Sequence, residues 1–301
     1  MEIIRSGTNI PFTKYRYTAI VASTVINVAV VLLLFVKGPN LGVDFAGGTV
    51  VQLKFQQQVS VTDIRRALET IGLGDSEIQD FGREGENEFL VRFERPPGEL
   101  GAVGDRIRAA LAAQFGENKA EIRRIESVGP KVGRELRERA TWSVIAATIM
   151  MGIYIWFRFE LRFGIGAVVA LIHDVLITVG ALVLFNYEFD LTIIAALLTI
   201  VGFSVNDTVV ICDRIRENMR KSKREGLEKI VNASINESLS RTIFTTGTAL
   251  MVLLALFILG GAVIRPFAFA LLVGLITGVY STIFIASPII LLWEKGKKSP
   301  K

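Results

Sequence analysis

The stretch from Asp190 to Asn218, DLTIIAALLTIVGFSVNDTVVICDRIREN, limits this chain more than any other. About twenty apolar or small residues run from Leu191 to Cys212, enough for a helix to cross a bilayer core of about 30 Å. Yet Ser204, Asn206, Asp207 and Thr208 lie inside the run. An acid within a span costs at least ~2.5 kcal/mol and is tolerated only where it faces protein, a partner or water. Helical periodicity puts Gly202, Asn206, Val209 or Val210, and Asp213 on one face. That face is small and polar, and is expected to look into a bundle. Asp207 is then either a structural residue with a fixed ionic partner or a protonatable site on an ion pathway. Asp213, Arg214 and Arg216 close the helix at a charged surface.

Five further apolar runs accompany this one. A polar, basic N-terminus with Arg5, Lys14 and Arg16 leads into the first, whose length exceeds a secretory h-region and which ends in Phe35-Val36-Lys37 without a small-residue cleavage site, so it reads as an uncleaved span. The organisation expected is a cytoplasmic N-tail (1–16), a first span (17–36), an outside domain (37–139), a remainder of five spans (140–293, at about 141–157, 163–185, 190–213, 242–261 and 266–293) and a cytoplasmic C-tail (294–301). The sides follow from charge. Arg158 and Arg162 occupy one short loop, Arg214, Arg216, Arg220, Lys221, Lys223, Arg224 and Lys229 crowd another, and Lys295, Lys297 and Lys298 end the chain. These all fall on one side, which the positive-inside rule makes cytoplasmic. Pro266 is expected in the first turn of the last span, where its missing N–H costs nothing. Gly274 and Gly278 in that span form a GxxxG match that invites close approach of another helix.

Between the first two spans the periodicity changes. Thr49–Phe55 alternates as a strand, Val61–Ile71 has helical spacing with Ser60 or Thr62 available as cap, Glu77–Phe81 and Glu88–Phe93 read as short strands, Pro96-Pro97-Gly98 breaks the chain, Leu100–Phe115 is helical and Ala120–Val128 is again strand-like. The order β-α-β-β-α-β is the ferredoxin-like α+β pattern. On its edge, LGVDFAGGT at 41–49 carries Gly47-Gly48, which permits a tight turn or close approach, with Asp44 placed to cap that turn.

Composition excludes more than it identifies. Of 301 residues, 51% are hydrophobic, which suits a membrane protein gathered into long runs. The net charge of +5 is concentrated beside those runs, which is membrane topology and not a nucleic-acid footprint. The one cysteine, Cys212, permits no internal disulfide and reads as a packed small hydrophobe. With one histidine and no HExxH, CxxC, nucleophile triad or Walker A loop, no metal, cofactor or enzyme activity is expected. His173 and Asp174 sit together in the third span, either pinning neighbouring helices or joining a pathway. Arg241 opens the fifth span, antiparallel to the fourth across a connection of about 28 residues. It is expected at the depth of Asp207, so that protonating Asp207 would release it.

The motifs LGVDFAGGT (41–49), ESVGPKVG (126–133), GFSVNDTVVICDRIREN (202–218), NESLSRT (236–242), RPFAFALLVGLITGVYSTIFIASPI (265–289) and ALIHDV (170–175) together resemble the SecD/SecF family of the resistance-nodulation-division superfamily, and within it the shorter SecF-type chains with one outside domain. The resemblance implies an accessory subunit of the bacterial protein-export translocase. It implies work with SecD and the SecYEG channel beside the SecA ATPase, acting on an unfolded exported polypeptide and driven by the proton-motive force. It assigns Asp207 and Arg241 to proton coupling, Asn206, Thr208, Asp213 and Arg214 to the supporting fourth-span motif, and Asp44, Gly47 and Gly48 to the junction of span and domain. Six spans are half of a twelve-span pseudo-symmetric transporter, which fits a partner that supplies the other half. Two other readings stay open: a structural or assembly subunit without proton coupling of its own, and half of a small-molecule or lipid exporter of the same superfamily.

Overall fold

In a computed structural model of the chain, residues 9–81, 85–93, 100–117, 119–222 and 225–297 are described. Arg5, the Pro96-Pro97-Gly98 break, Lys223, Arg224 and Lys298 lie outside these residues. The described part divides into two compact units, one of Leu41–Ala140 with Phe189–Leu191, the other of the remaining residues.

The first unit contains the elements β1 (Gly48–Phe55), α1 (Val61–Glu69), β2 (Glu77–Phe81), β3 (Glu88–Phe93), α2 (Leu100–Phe115) and β4 (Ala120–Val128). The strands lie in the order β2-β3-β1-β4, with antiparallel neighbours throughout. This is the ferredoxin-like arrangement. Alternation explains the central strand: Val51, Leu53 and Phe55 are buried against Ile64, Leu68, Ile107 and Leu111 of the two helices. Val51 stands opposite Val91 of β3 and Ile125 of β4. Phe55 packs edge-on against Phe89 and Phe115. Of the two candidate caps for α1, Ser60 serves, accepting from the Asp63 N–H at 3.2 Å.

Gly47 and Gly48 both have positive φ, 79° and 111°. A Cβ on Gly47 would stand 2.9 Å from Cα of Pro130, so the glycine permits both the turn and the contact. Asp44 does not cap this turn. Its Oδ2 accepts from the N–H of Leu191 at 3.0 Å, satisfying an orphan donor at the start of the helix Leu191–Lys221.

The second unit is helical. Among the described residues, six helices are long and apolar enough to cross a membrane: Phe12–Val36, Pro130–Arg158, Leu161–Leu184, Leu191–Lys221, Leu227–Leu259 and Gly261–Trp293. They are called here the first to sixth spans. The third, fourth and sixth are the inner ones, with half or more of their apolar windows buried, whereas the first, second and fifth are mostly exposed.

Two sequence expectations fail here, the first because polar residues extend a helix as readily as apolar ones, so a hydrophobic run underestimates it. The fourth and fifth helices run on to Lys221 and back to Leu227, so no long loop joins them. Pro266 lies inside a helix that already starts at Gly261, and not in its first turn. The extension of the fifth helix is used. Asn236 Oδ1 accepts from the Ile10 N–H at 2.8 Å while its Nδ2 donates to the Ile10 carbonyl, Asn232 Oδ1 accepts from the Thr13 N–H, and Glu228 pairs with the buried Arg16. These three residues, spaced by four, form one face that holds the start of the first span.

Candidate functional site

The fourth span carries two polar faces. On the inner one, Ile200, Ser204 and Thr208 form a ridge spaced by four, and it seats along Gly274, Gly278 and Thr282 of the sixth span, also spaced by four. A Cβ on Gly278 would come within 3.2 Å of Ser204 Oγ, and one on Gly274 would overlap the Ile200 side chain. The GxxxG pair thus receives the fourth span, and bare backbone makes the fit possible. Thr208 and Thr282 share a hydrogen bond of 2.9 Å. At Thr282 the sixth span changes to a π-helical turn, Thr282–Ala286, a deformation that recurs at functional sites.

Asp174 of the third span closes this seam. It is fully buried, and its Oδ2 accepts from Ser204 Oγ at 2.7 Å and from Ser281 Oγ at 2.8 Å. Its Oδ1 lies 3.1 Å from His173 Nδ1. The His173 ring packs beside Tyr280, whose hydroxyl shares a bond of 2.9 Å with Ser23 of the first span. One carboxylate therefore joins the third, fourth and sixth spans, and carboxylate bonds to hydroxyls are about twice as strong as neutral ones. Ser281 and Thr282 were not distinguishable from the sequence as members of this cluster. The signal for Thr282 is the four-residue step from Gly274 and Gly278, and Ser281 adjoins it.

Asp207 faces the fifth span instead. It is 5% exposed, and Thr246 Oγ1 donates to its Oδ2 at 3.3 Å. One turn along the fifth span, the hydroxyl of Thr242 is buried with no hydrogen-bond partner among the described residues. Arg241 does not pair with Asp207. It is exposed, no ion pair between the two within 4.0 Å occurs among the described residues, and its charge acts on Asp207 only through space. The reason is rotational: Thr242 and Thr246 occupy the inner face of the fifth helix, and Arg241 precedes Thr242 by one residue, about 100° away.

The outer face of the fourth span is not covered by the helices of this chain. Gly202, Asn206 and Asp213 are exposed and do not look into this bundle, whereas Ser204, Asp207 and Thr208 do. Thr245, Thr248 and Arg241 of the fifth span are likewise exposed. Asp213 has only a loose contact with Arg158 at 3.9 Å. Arg214 pairs with Glu217 and Glu237, tying the ends of the fourth and fifth helices. Cys212 is buried as a packing residue. Among the described residues no group of His, Cys, Asp and Glu is arranged to hold a metal ion.

Comparison with known proteins agrees with this architecture. Residues 107–296 match the family described as protein export membrane protein SecD/SecF, C-terminal, and residues 32–59, which include Gly47 and Gly48, match the SecD/SecF GG motif. The chain is 45% identical to the protein translocase subunit SecF of Desulfurispirillum indicum over 95% of its own length and 92% of the relative's. It is 38% identical to that of Escherichia coli O157:H7 over 93% and 86%. Among solved structures it resembles SecDF from Thermus thermophilus, a translocon-associated membrane protein, at 36% identity and a TM-score of 0.85. That likeness covers 96% of this chain and 39% of the longer one. With matches of this extent across all six spans and the intervening domain, the chain belongs to the SecD/SecF family of protein-export membrane proteins.

Proposed function

We propose that this chain is an accessory subunit of the Sec protein translocase that pairs with SecD and, beside the SecYEG channel and the SecA ATPase, uses the proton-motive force to promote late stages of export of an unfolded polypeptide. The observation that carries the reading is Asp207: a buried acid in a membrane span, held by one neutral hydroxyl and without a contacting cation among the described residues. A fixed ion pair, the basis of a purely structural role, would need a contact that Arg241 does not make. Protonation of Asp207 and approach of Arg241 are the two arms of the switch. One charge moved through 100 mV is worth about 2.3 kcal/mol, enough to shift a balanced equilibrium more than tenfold.

The partner reading is supported by the uncovered polar stripe of Gly202 and Asn206 beside Arg241, Thr245 and Thr248. Polar and charged groups at span depth are expensive against lipid. A second six-span half supplied by SecD would cover them. Positive charges at Arg158, Arg162, Arg214, Arg216, Arg220, Lys221 and Lys229 support a bacterial inner-membrane topology with both termini cytoplasmic and the ferredoxin-like domain outside. Asp44, Gly47 and Gly48 serve in this reading as the junction between span and domain.

The test is reconstitution with SecD and SecYEG–SecA under an imposed proton gradient. Asp207→Asn is expected to assemble and to lose the gradient-dependent part of export. Wild-type export by that variant would remove Asp207 from the coupling mechanism and leave the assembly role.

A further inference from the structure

The two polar sides of the fourth span differ in kind. Toward the third and sixth spans its contacts are saturated: Ser204 and Ser281 both donate to Asp174, Thr208 bonds Thr282, and Gly278 leaves no slack against Ser204. At the depth of Asp207 the side toward the fifth span has, among the described residues, one long bond, Thr246 to Asp207, and an unpartnered buried hydroxyl on Thr242, while Arg214–Glu237 and Asn218–Ser234 lie about two and three turns further along. Ser204 and Asp207 are three residues apart, about 60° around the helix. Any rotation of the fourth span about its axis therefore turns Asp207 by the same angle, and at this depth the groups that oppose rotation are those bonded to Ser204 and Thr208.

We propose that Asp174 is a positioning residue for Asp207: it locks the rotation of the fourth span by accepting from Ser204 and Ser281 together, and so keeps Asp207 directed at Thr246. Asp174 acts as a doubly accepting oxygen and its role does not require it to exchange a proton. The groups facing it are Ser204, Ser281 and its neighbour His173, with no lysine, arginine or second acid bonded to it among the described residues. An asparagine can reproduce this geometry, its Oδ1 taking both hydroxyls and its amide facing the imidazole. An alanine cannot, and it leaves two buried hydroxyls without an acceptor.

The activity consequence rests on the reading of Asp207 as the coupling site, so two measurements are made. The first reads geometry alone. With Cys212→Ala, Asp207→Cys and Thr246→Cys in the full chain assembled with SecD, cross-linking between the two introduced thiols is measured. Asp174→Ala is expected to lower the yield about tenfold, the equilibrium change for loss of about one buried hydrogen bond, and Asp174→Asn to preserve it. The second reads gradient-driven export with Asp207 intact, where Asp174→Ala should lose the gradient-dependent part and Asp174→Asn retain it. Ser204→Ala and Ser281→Ala, each deleting one donor, provide milder variants should Asp174→Ala not assemble, with cross-linking reduced in each.

Unchanged cross-linking in Asp174→Ala, or in both serine variants, overturns the proposal. So does loss of export in Asp174→Asn equal to that in Asp174→Ala, because Asp174 would then act by titrating. If Asp207→Asn itself exports normally, the coupling reading fails while the cross-linking result still decides whether Asp174 holds the fourth span.

Discussion

Replacing Gly274 by alanine adds a single methyl group, and the structure dictates where it goes. The new Cβ would fall on the side chain of Ile200, which is 1% exposed. Ile200 cannot swing away, because a β-branched side chain in a helix has essentially one χ1 rotamer. The two helices must therefore separate or the side chain must strain, and overpacking of this kind costs about 1–3 kcal/mol. Shortening the opposing residue, Ile200→Ala, costs about 2–5 kcal/mol from lost burial and the cavity left behind. Combined, the two changes should cost less than their sum by about 1–3 kcal/mol, since the added methyl enters the emptied space. The chain supplies its own probe. Cys212 is the only thiol and is 2% exposed, so a fluorogenic maleimide reports unfolding in detergent through one site. Gly202→Ala is the control, because its Cβ meets nothing within 4 Å. There alanine should be neutral or stabilising by up to about 1 kcal/mol from helix propensity. Additivity of Gly274→Ala and Ile200→Ala within about 0.5 kcal/mol would refute the claim that these two residues meet.

Gly47→Ala should destabilise by about 1–3 kcal/mol, because it combines a φ of 79° with a Cβ 2.9 Å from Pro130, and a lower unfolding midpoint of the full chain checks it. Asp44→Ala should remove the acceptor for the Leu191 N–H, at a cost of about 0.5–2 kcal/mol, seen as faster amide exchange confined to the first turn of the fourth span. Phe55→Ala should cost about 3–5 kcal/mol and expose β1 and β3 to exchange while leaving the spans protected, since its ring packs only within the α+β unit. Glu237→Gln should change stability by no more than about 1 kcal/mol, as the ion pair with Arg214 is largely exposed, and an unfolding midpoint insensitive to added salt would agree.

How much was legible in the sequence depended on whether the governing interaction is local. Strand alternation at Thr49–Phe55 and helical spacing at Val61–Ile71 and Leu100–Phe115 reflect burial of one face of one element, so the β-α-β-β-α-β order could be read directly. Apolar length identifies spans for the same reason, but it misjudged where the fourth and fifth helices end, because their extensions are polar and held by Arg214–Glu237 and by Asn232 and Asn236 against the N-terminal segment. The acids at 174 and 207 stood out as costly, yet their partners did not. Thr246, Ser281 and Thr282 are unremarkable in composition, and only the rotation of each helix about its axis brings Thr246 and Ser281 to a carboxylate and Thr282 to Thr208. Sequence alone therefore determined which residues must be satisfied inside the membrane. Tertiary structure decided by what: it placed Thr246 and not Arg241 against Asp207, turned Asn206 outward, and made Asp174 the meeting point of three spans. Periodicity shows which residues share a helical face, while the azimuth of that face is set by packing against other helices, as where two bare glycines admit a neighbouring ridge.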